Sequence, residues 1–516
     1  MENRIAVTAQ GRVRGVACKN PEITVFKGVP YAKPPVGPLR WRAPEPMDAW
    51  NGIREANNFG AMPPQRRGAF LDLGLFDDMY CSEDVLYLNI WTPAKTADEK
   101  LPVLVWIHGG GLTSGYASDG MYDGEKYAEK GVILVTVSYR LGAFGFMCHK
   151  DMRAESPYGT SGNFGVMDQA AALRWVHDNI AGFGGDPEKV TIAGQSAGGG
   201  SVCNMMCTPL AAGTFRGAIC QSGDSLAHRG RPDRFTMEAA EELGAKIAAH
   251  FGCETLDELR KIPFDQFVRK DYEVNMAVAN ARFGVVVDGV VLPKQPAEML
   301  MHGEGQSNIP MIFGCNTREG LFGISGKSLE AYQNDIHAYF GDMAGAVLEA
   351  YPAASDEEAA QQSWELSCDM WVARLRHWGL TRKERGVPSW QYLFNRGKIF
   401  KGIDIGPRHG EEMSFVFGTG EHWMDCFEVV LANVPKPEGY DGTADAAIDA
   451  ELSERMMNHW ANFVKTGNPN GDAQQIWKPV AEDTLYMWLD AESGMRCEQK
   501  HGIDVLVAET AANWAK

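Results

Sequence analysis

"TIAGQSAGGGS", residues 191–201, sets one serine among glycines and alanines directly after a short apolar run. Within it, Gly194-Gln195-Ser196-Ala197-Gly198 fits G-x-S-x-G, the pattern of a serine lifted onto a sharp strand-to-helix turn at the top of a sheet. Glycine at both flanks removes side chains that would collide where the chain reverses. The helix that follows would aim backbone N–H groups and the positive end of its dipole at a developing oxyanion. A Gly-rich connection carries the same five residues by chance, so the surroundings decide between the two readings.

Those surroundings read as an α/β fold. "LPVLVWIHGGG" (101–111) and "GVILVTVSYR" (131–140) are nearly continuous apolar runs, as expected of strands covered on both faces. From Val166, Leu173, Val176 and Ile180 recur at helical spacing, predicting a helix that "AGFGGDP" terminates before "KVTIAGQS" forms the next strand. Strand, helix, strand, turn, helix is the order of a doubly wound, mostly parallel twisted sheet flanked by helices. Upstream, "RVRGV", "TVFKGVPYAKPPVGPLRW" and "VLYLNIW" read as antiparallel strands and loops at the start of the sheet. Downstream, "IPMIFGCN" (309–316) and "WQYLFNRG" (390–397) supply two more strands. Between them, 324–389 reads as a helix-rich insertion carrying Trp364, Trp371 and Trp378, a lid or second lobe within one domain spanning 1–516. Near the end, Leu452, Met456, Trp460, Phe463 and Val464 share a helical face that packs on the core and stops at "GNPNG".

A second glycine run, His108-Gly109-Gly110-Gly111, follows a buried strand at the place where half of an oxyanion hole is built in such folds. Each glycine costs roughly 0.5–1 kcal/mol against alanine in a regular element, so close backbone approach explains three in a row better than a plain loop does.

Composition narrows the rest. The net charge of −18, with no compensating block of Lys and Arg, opposes nucleic-acid binding. No window approaches the length of a membrane-spanning apolar helix. The 11 cysteines are scattered from Cys18 to Cys497 without zinc-type pairs, and no Asn-x-Ser/Thr acceptor occurs, which fits reduced thiols and no metal. "MENRIAVTAQGRVRGV" lacks the basic start and apolar stretch of a secretory signal, so a cytoplasmic location is expected. Neither a metal nor another cofactor is expected, and the number of subunits stays open.

Longer stretches carry a family resemblance: "FKGVPYAKPPVGPLRWRAPEP" (26–46), "SEDVLYLNIWTP" (82–93), "GNFGVMDQAAALRWVHDNIAGFGGDPEKVTIAGQSAGG" (162–199), "GCNTREG" (314–320) and "GPRHGEEMSFVFG" (406–418). Over nearly all its length the chain resembles the type-B carboxylesterases and cholinesterase-like proteins of the α/β-hydrolase fold. The resemblance implies a serine esterase acting on a small-molecule carboxylic ester through an acyl-enzyme. It implies Ser196 as nucleophile, Glu319 as the acid, His409 as the general base, and the amides of Gly110, Gly111 and Ala197 as the oxyanion hole. Carbamate or aryl-amide hydrolysis by the same residues, and a non-catalytic binding protein, are the alternatives.

Against the family pattern, Gln195 stands where a glutamate is usual, which implies weaker attraction for cations. Val85 stands where the family's extracellular members carry a bridged cysteine, Cys253 lacks its usual nearby partner, and Leu75 stands where cholinesterases place a choline-binding tryptophan. Gln195, Leu112, Phe283 and Phe322 are the expected pocket walls.

Overall fold

The run over 101–107 is apolar throughout because it has two buried faces. Val103, Val105 and Ile107 enter one core layer, and Leu104 and Trp106 enter the other. A strand's side chains alternate, so only a sheet covered on both sides asks for such a run.

The computed structural model describes residues 4–65, 80–225, 236–268, 283–320, 324–397, 399–400, 403–404, 406–420, 443–471, 476–481, 486–496 and 501–514. Its main sheet comprises β1 Val16–Ala17, β2 Thr24–Pro30, β3 Tyr87–Thr92, β4 Leu101–Ile107, β5 Ile133–Val137, β6 Gly185–Gln195, β7 Gly217–Gln221, β8 Met311–Asn316, β9 Ser389–Phe394, β10 Tyr486–Leu489 and β11 Gly494–Arg496. Across the sheet they lie in the order β11-β10-β9-β8-β7-β6-β4-β5-β3-β2-β1. The run from β10 to β5 is parallel, and antiparallel strands close both edges.

Two local readings differ from expectation. "RVRGV" divides between sheets: Arg12–Arg14 joins Ile5–Val7 and Ile53–Glu55 in a separate three-stranded sheet, while Val16 belongs to β1. Gly15 separates the two parts, and a Cβ there would strike Thr24 and Val25. The helix before β6 ends at Asn179, and after a short turn Gly184 takes φ +83°; Pro187 then lies inside β6. It sits where the register to β4 shifts between Leu101 and Val103, an irregularity that tolerates a residue without an N–H.

The helices that matter here are α1 Phe164–Asn179, α2 Ala197–Cys207, α3 Leu329–Phe340, α4 Ala344–Ala350, α5 Asp356–Glu384, α6 Thr443–Thr466 and α7 His501–Trp514. Residues from α1, α2 and α5 pack with Val103, Val105 and Ile107 on one face. Leu452, Met456, Trp460, Phe463 and Val464 of α6 pack with Leu104 and Trp106 on the other.

Three of these helices, α3 to α5, fill the stretch between β8 and β9. The longest, α5, is capped by the Ser355 hydroxyl, which accepts from Glu358 N at 3.2 Å, and Asp356, Glu357 and Glu358 meet the positive end of its dipole. At its far end Arg382 is wholly buried and donates to Ser389 Oγ at 2.7 Å and to the carbonyls of Ser307 and Ile309. Burial, with Arg385 nearby, lowers its pKa to about 9, and the acceptors keep the guanidinium hydrogen-bonded. The first turn of α5 is thus capped within the helix, and its far end is tied to neighbouring segments through Arg382.

Trp460 is the largest apolar side chain at the centre of the α6 face, and its Nε1 donates to Gln221 Oε1 at 3.0 Å. Trp460→Ala is expected to lower unfolding free energy by about 3–5 kcal/mol, the usual cost of emptying a buried tryptophan site, measured by urea unfolding.

Candidate active site

Parallel strands deliver their C-terminal ends to one edge of a sheet, where ligands of open α/β folds bind. Here Ile107 of β4 pairs with Gly194 of β6, and Gln195 pairs with Gln221 of β7, which in turn pairs with Gly314 of β8. The loops after these four strands therefore leave the sheet side by side. They carry the glycine run 108–111, Ser196, Ser222 and Glu319.

Ser196 turns with φ 58° and ψ −127°, a conformation that non-glycine residues rarely hold. The turn fits because the residues two before and two after Ser196 have no side chains. A Cβ on Gly194 would lie 2.4 Å from Gly198 O, and one on Gly198 would lie 2.1 Å from Ile107 O. Ser196 N donates to Gln221 O at 2.9 Å, and Gly200 N reaches Ser196 O at 3.0 Å, so α2 starts directly behind the hydroxyl.

Glu319 and His409 lie 90 residues apart in sequence, and a short parallel bridge between Arg318 and Arg408 sets them one step beyond its two ends. His409 Nδ1 hydrogen-bonds Glu319 Oε2. Ser196 Oγ lies 2.7 Å from His409 Nε2. Asn316 N donates to the other Glu319 oxygen at 2.7 Å, which orients the buried carboxylate from its own strand. The structure thus brings together the three side chains singled out above, and the chain can move a proton from the hydroxyl to the imidazole.

Gly109 packs on this turn: a Cβ there would lie 2.5 Å from Gln195 O. Gly110 and Gly111 take φ of +101° and +64°. Gly110 O is occupied by Ser114 N at 3.0 Å and Ser114 Oγ at 3.0 Å, which curls the loop and leaves its amides pointing elsewhere. Among the described residues, none accepts a hydrogen bond from the amides of Gly110, Gly111 or Ala197. His108 anchors the loop: its Nδ1 donates to Gly109 O at 2.9 Å, its ring stacks on Tyr139 at 4.5 Å, and Tyr139 Oη donates to its carbonyl at 2.8 Å. Complete burial pushes its pKa down to about 4, so it serves as a neutral strut.

Other expected residues fall at different distances from the triad. Gln195 is buried, with Nε2 3.4 Å from His409 Nε2. Leu112 follows the glycine run with φ +62°, half-buried, its carbonyl held by Gly142 N at 2.7 Å. Phe283 is buried in the α1-side core, and no hydrogen bond or ring contact among the described residues ties it to the triad. Phe322 and Leu75 lie outside the described residues.

Three residues not singled out in the sequence, Glu412, Asn316 and Gln221, complete the surroundings together with Trp371 of the helical insertion. Glu412 is fully buried, accepting from Asn316 Nδ2 at 2.7 Å and from Gln221 Nε2 at 3.3 Å. Burial, reinforced by the charge of Glu319, raises its pKa to about 7. Trp371 is the one already named on the insertion, and its ring centroid lies 6.3 Å from that of His409. Of the other three, only Glu412 had a hint in the sequence, as the second glutamate of "RHGEE", three residues after the histidine. Burial opposes protonation of His409, but the hydrogen bond and charge of Glu319, with the charge of Glu412, outweigh it and raise the imidazole pKa above its usual value.

Residues 2–502 match the family described as "Carboxylesterase family". The chain belongs to the carboxylesterase family. It is 33% identical to acylcarnitine hydrolase of Mus musculus, covering 97% of this chain and 90% of that protein. It is 32% identical to para-nitrobenzyl esterase of Bacillus subtilis (strain 168), covering 94% of each. Among solved structures, a PNB esterase superposes with a TM-score of 0.80 at 30% identity, covering 98% of this chain and 99% of that one. The mostly parallel sheet is thus an α/β-hydrolase fold, and the chain is a carboxylic ester hydrolase.

Among the described residues, no group of three or more His, Cys, Asp or Glu is placed to hold a metal ion, and no helix is long and apolar enough to cross a membrane.

An imidazole acts as a base only when neutral, so the raised His409 pKa is expected to put the acid limb of kcat/KM above pH 6.5. Replacing Glu319 by Gln removes the two largest influences that raise it and leaves burial, the largest influence of all, opposed by the charge of Glu412. The acid limb is then expected to move below pH 6.5 while kcat drops about 10⁴-fold through loss of the correct tautomer, both read from a pH–rate profile on one ester.

Proposed function

We propose that this carboxylesterase works through a Ser196–His409–Glu319 triad and an acyl-enzyme intermediate. The observation that carries the reading is the continuous chain of hydrogen bonds from Ser196 Oγ to His409 Nε2 at 2.7 Å and on from Nδ1 to Glu319. His409 takes the hydroxyl proton as Ser196 Oγ attacks the ester carbonyl, and Glu319 steadies the imidazolium. The amides of Gly110, Gly111 and Ala197 receive the oxyanion, each donor supplying about 3–4 kcal/mol to the transition state. The imidazolium returns its proton to the leaving alcohol oxygen. Water, activated by the same imidazole, then attacks the acyl carbonyl and releases the acid and Ser196.

The relatives named for acylcarnitine and para-nitrobenzyl ester hydrolysis support small-molecule esters as the substrate class. The neutral amide of Gln195 beside His409 favours uncharged or weakly polar esters over cationic ones. A reducing compartment completes the proposal, supported by the free thiols of six buried cysteines, Cys148, Cys203, Cys207, Cys220, Cys315 and Cys368.

Ser196→Ala is expected to lower ester turnover about 10⁶-fold and to abolish covalent capture of an organophosphonate, followed by intact-protein mass spectrometry. Turnover or labelling that survives the substitution would exclude Ser196 as the nucleophile.

A further inference from the structure

Helix α5 carries tryptophans at 364, 371 and 378, and their exposure falls in step: 46%, 8% and 0%. A spacing of seven residues is about two helical turns, so the three share one face and descend from surface to core. On the way down, that face meets the acid loop and then the base. At the outer end, the Trp364 ring stands 2.2 Å from where a Cβ on Gly320 would be, so the residue after Glu319 has to be glycine, and its φ is +56°. Two turns further in, the Trp371 ring lies 6.3 Å from the His409 ring, tilted by 38°. The Arg374 guanidinium lies 5.2 Å from the centre of the Trp371 ring, and its Nη2 donates to the buried Asp224 at 3.0 Å. That ion pair fastens the indole to the loop after β7. Trp378 continues inward and stacks on Phe313 at 5.3 Å.

The proposed function supplies the chemical direction, and this inference rests on it. His409 must hand its proton to the leaving oxygen, so the first carbons of the departing alcohol lie against the imidazole. An indole beside that imidazole therefore borders the alcohol and not the acyl chain. We propose that Trp364 and Trp371 form the leaving-group wall of the site, and that the preferred substrates are esters of bulky, uncharged, aryl-bearing alcohols. Two indoles on one line offer an aromatic group stacked or edge-on contacts from the surface down to the base. A cationic alcohol gains less, because the Trp371 π system already holds the Arg374 cation and Gln195 carries no charge to attract a second.

The test compares 2-naphthylmethyl acetate with methyl acetate, and methyl octanoate with methyl acetate, in Trp364→Ala and Trp371→Leu variants. Each variant is expected to lose about tenfold in kcat/KM on the naphthylmethyl ester, equivalent to roughly 1.4 kcal/mol. Whatever either change does to all three esters alike, the ratio of methyl octanoate to methyl acetate turnover is expected to stay within about twofold, while the ratio of naphthylmethyl to methyl acetate falls about tenfold. A loss shared equally by all three esters, or one that follows the acyl chain, overturns the proposal. Equilibrium dialysis of free 2-naphthylmethanol reads the wall without turnover, with an expected rise in Kd of about tenfold in Trp364→Ala. An unchanged Kd overturns the wall. If the unsubstituted protein neither turned over an ester nor captured a phosphonate, the proposed function would fall, while the dialysis would still decide the wall.

Discussion

The approach of β4 and β6 at their C-terminal ends is the constraint on which the site depends. Ile107 O lies where side chains on Gly194 and Gly198 would stand, so the elbow forms only with glycine at both places. Holding Ser196 at φ 58° costs of order 1–3 kcal/mol, which the packing around it must offset. The same approach brings the 108–111 loop against the elbow, where Gly109 packs on Gln195 O. A wider gap between the strands would relax the serine but carry the loop amides away from it. Strain at the serine and donors near it thus have a single cause.

The electrostatics around His409 follow from what the other strand ends bring. Glu319 arrives from β8 and Glu412 from just beyond the histidine, so two acids act on one imidazole. Glu412, unlike Glu319, is held by side-chain amides: it accepts from Asn316 and Gln221 among the described residues, and burial raises its pKa to about 7. A network of neutral donors can accommodate either form at modest cost. The second acid therefore adjusts the basicity of His409 without competing for its proton-carrying edges.

The frame was readable from the sequence because it rests on local chemistry. Two-sided apolar runs mark β4 and β5, the 3.6 period marks α1 and α6, and the glycines mark the elbow. Glu319 and His409 were reachable only through the family resemblance, since a bridge between residues 318 and 408 leaves no periodic trace. Asn316, Gln221 and Glu412 escaped notice for a similar reason: their meaning lies in burial against one another. Phe283, expected at the pocket, is buried in the same core layer as Trp371, and an apolar residue in a loop looks the same in the sequence whether it lines a pocket or fills a core. With Trp371 the helical spacing was visible, but the histidine it faces was not.

Gln195 connects these strands of argument. In the usual family pattern an acid stands before the nucleophile, and here it would be the third near His409, after Glu319 and Glu412. A third carboxylate would raise the imidazole pKa further, and a base that holds its proton too tightly returns it slowly to the leaving oxygen. The amide avoids that penalty, and with Arg374 already paired to Asp224 it leaves no net charge facing the departing alcohol from these residues. Discrimination there must then come from shape and apolar contact. A helix tied to neighbouring segments at Arg382 and presenting indoles along its length can supply both.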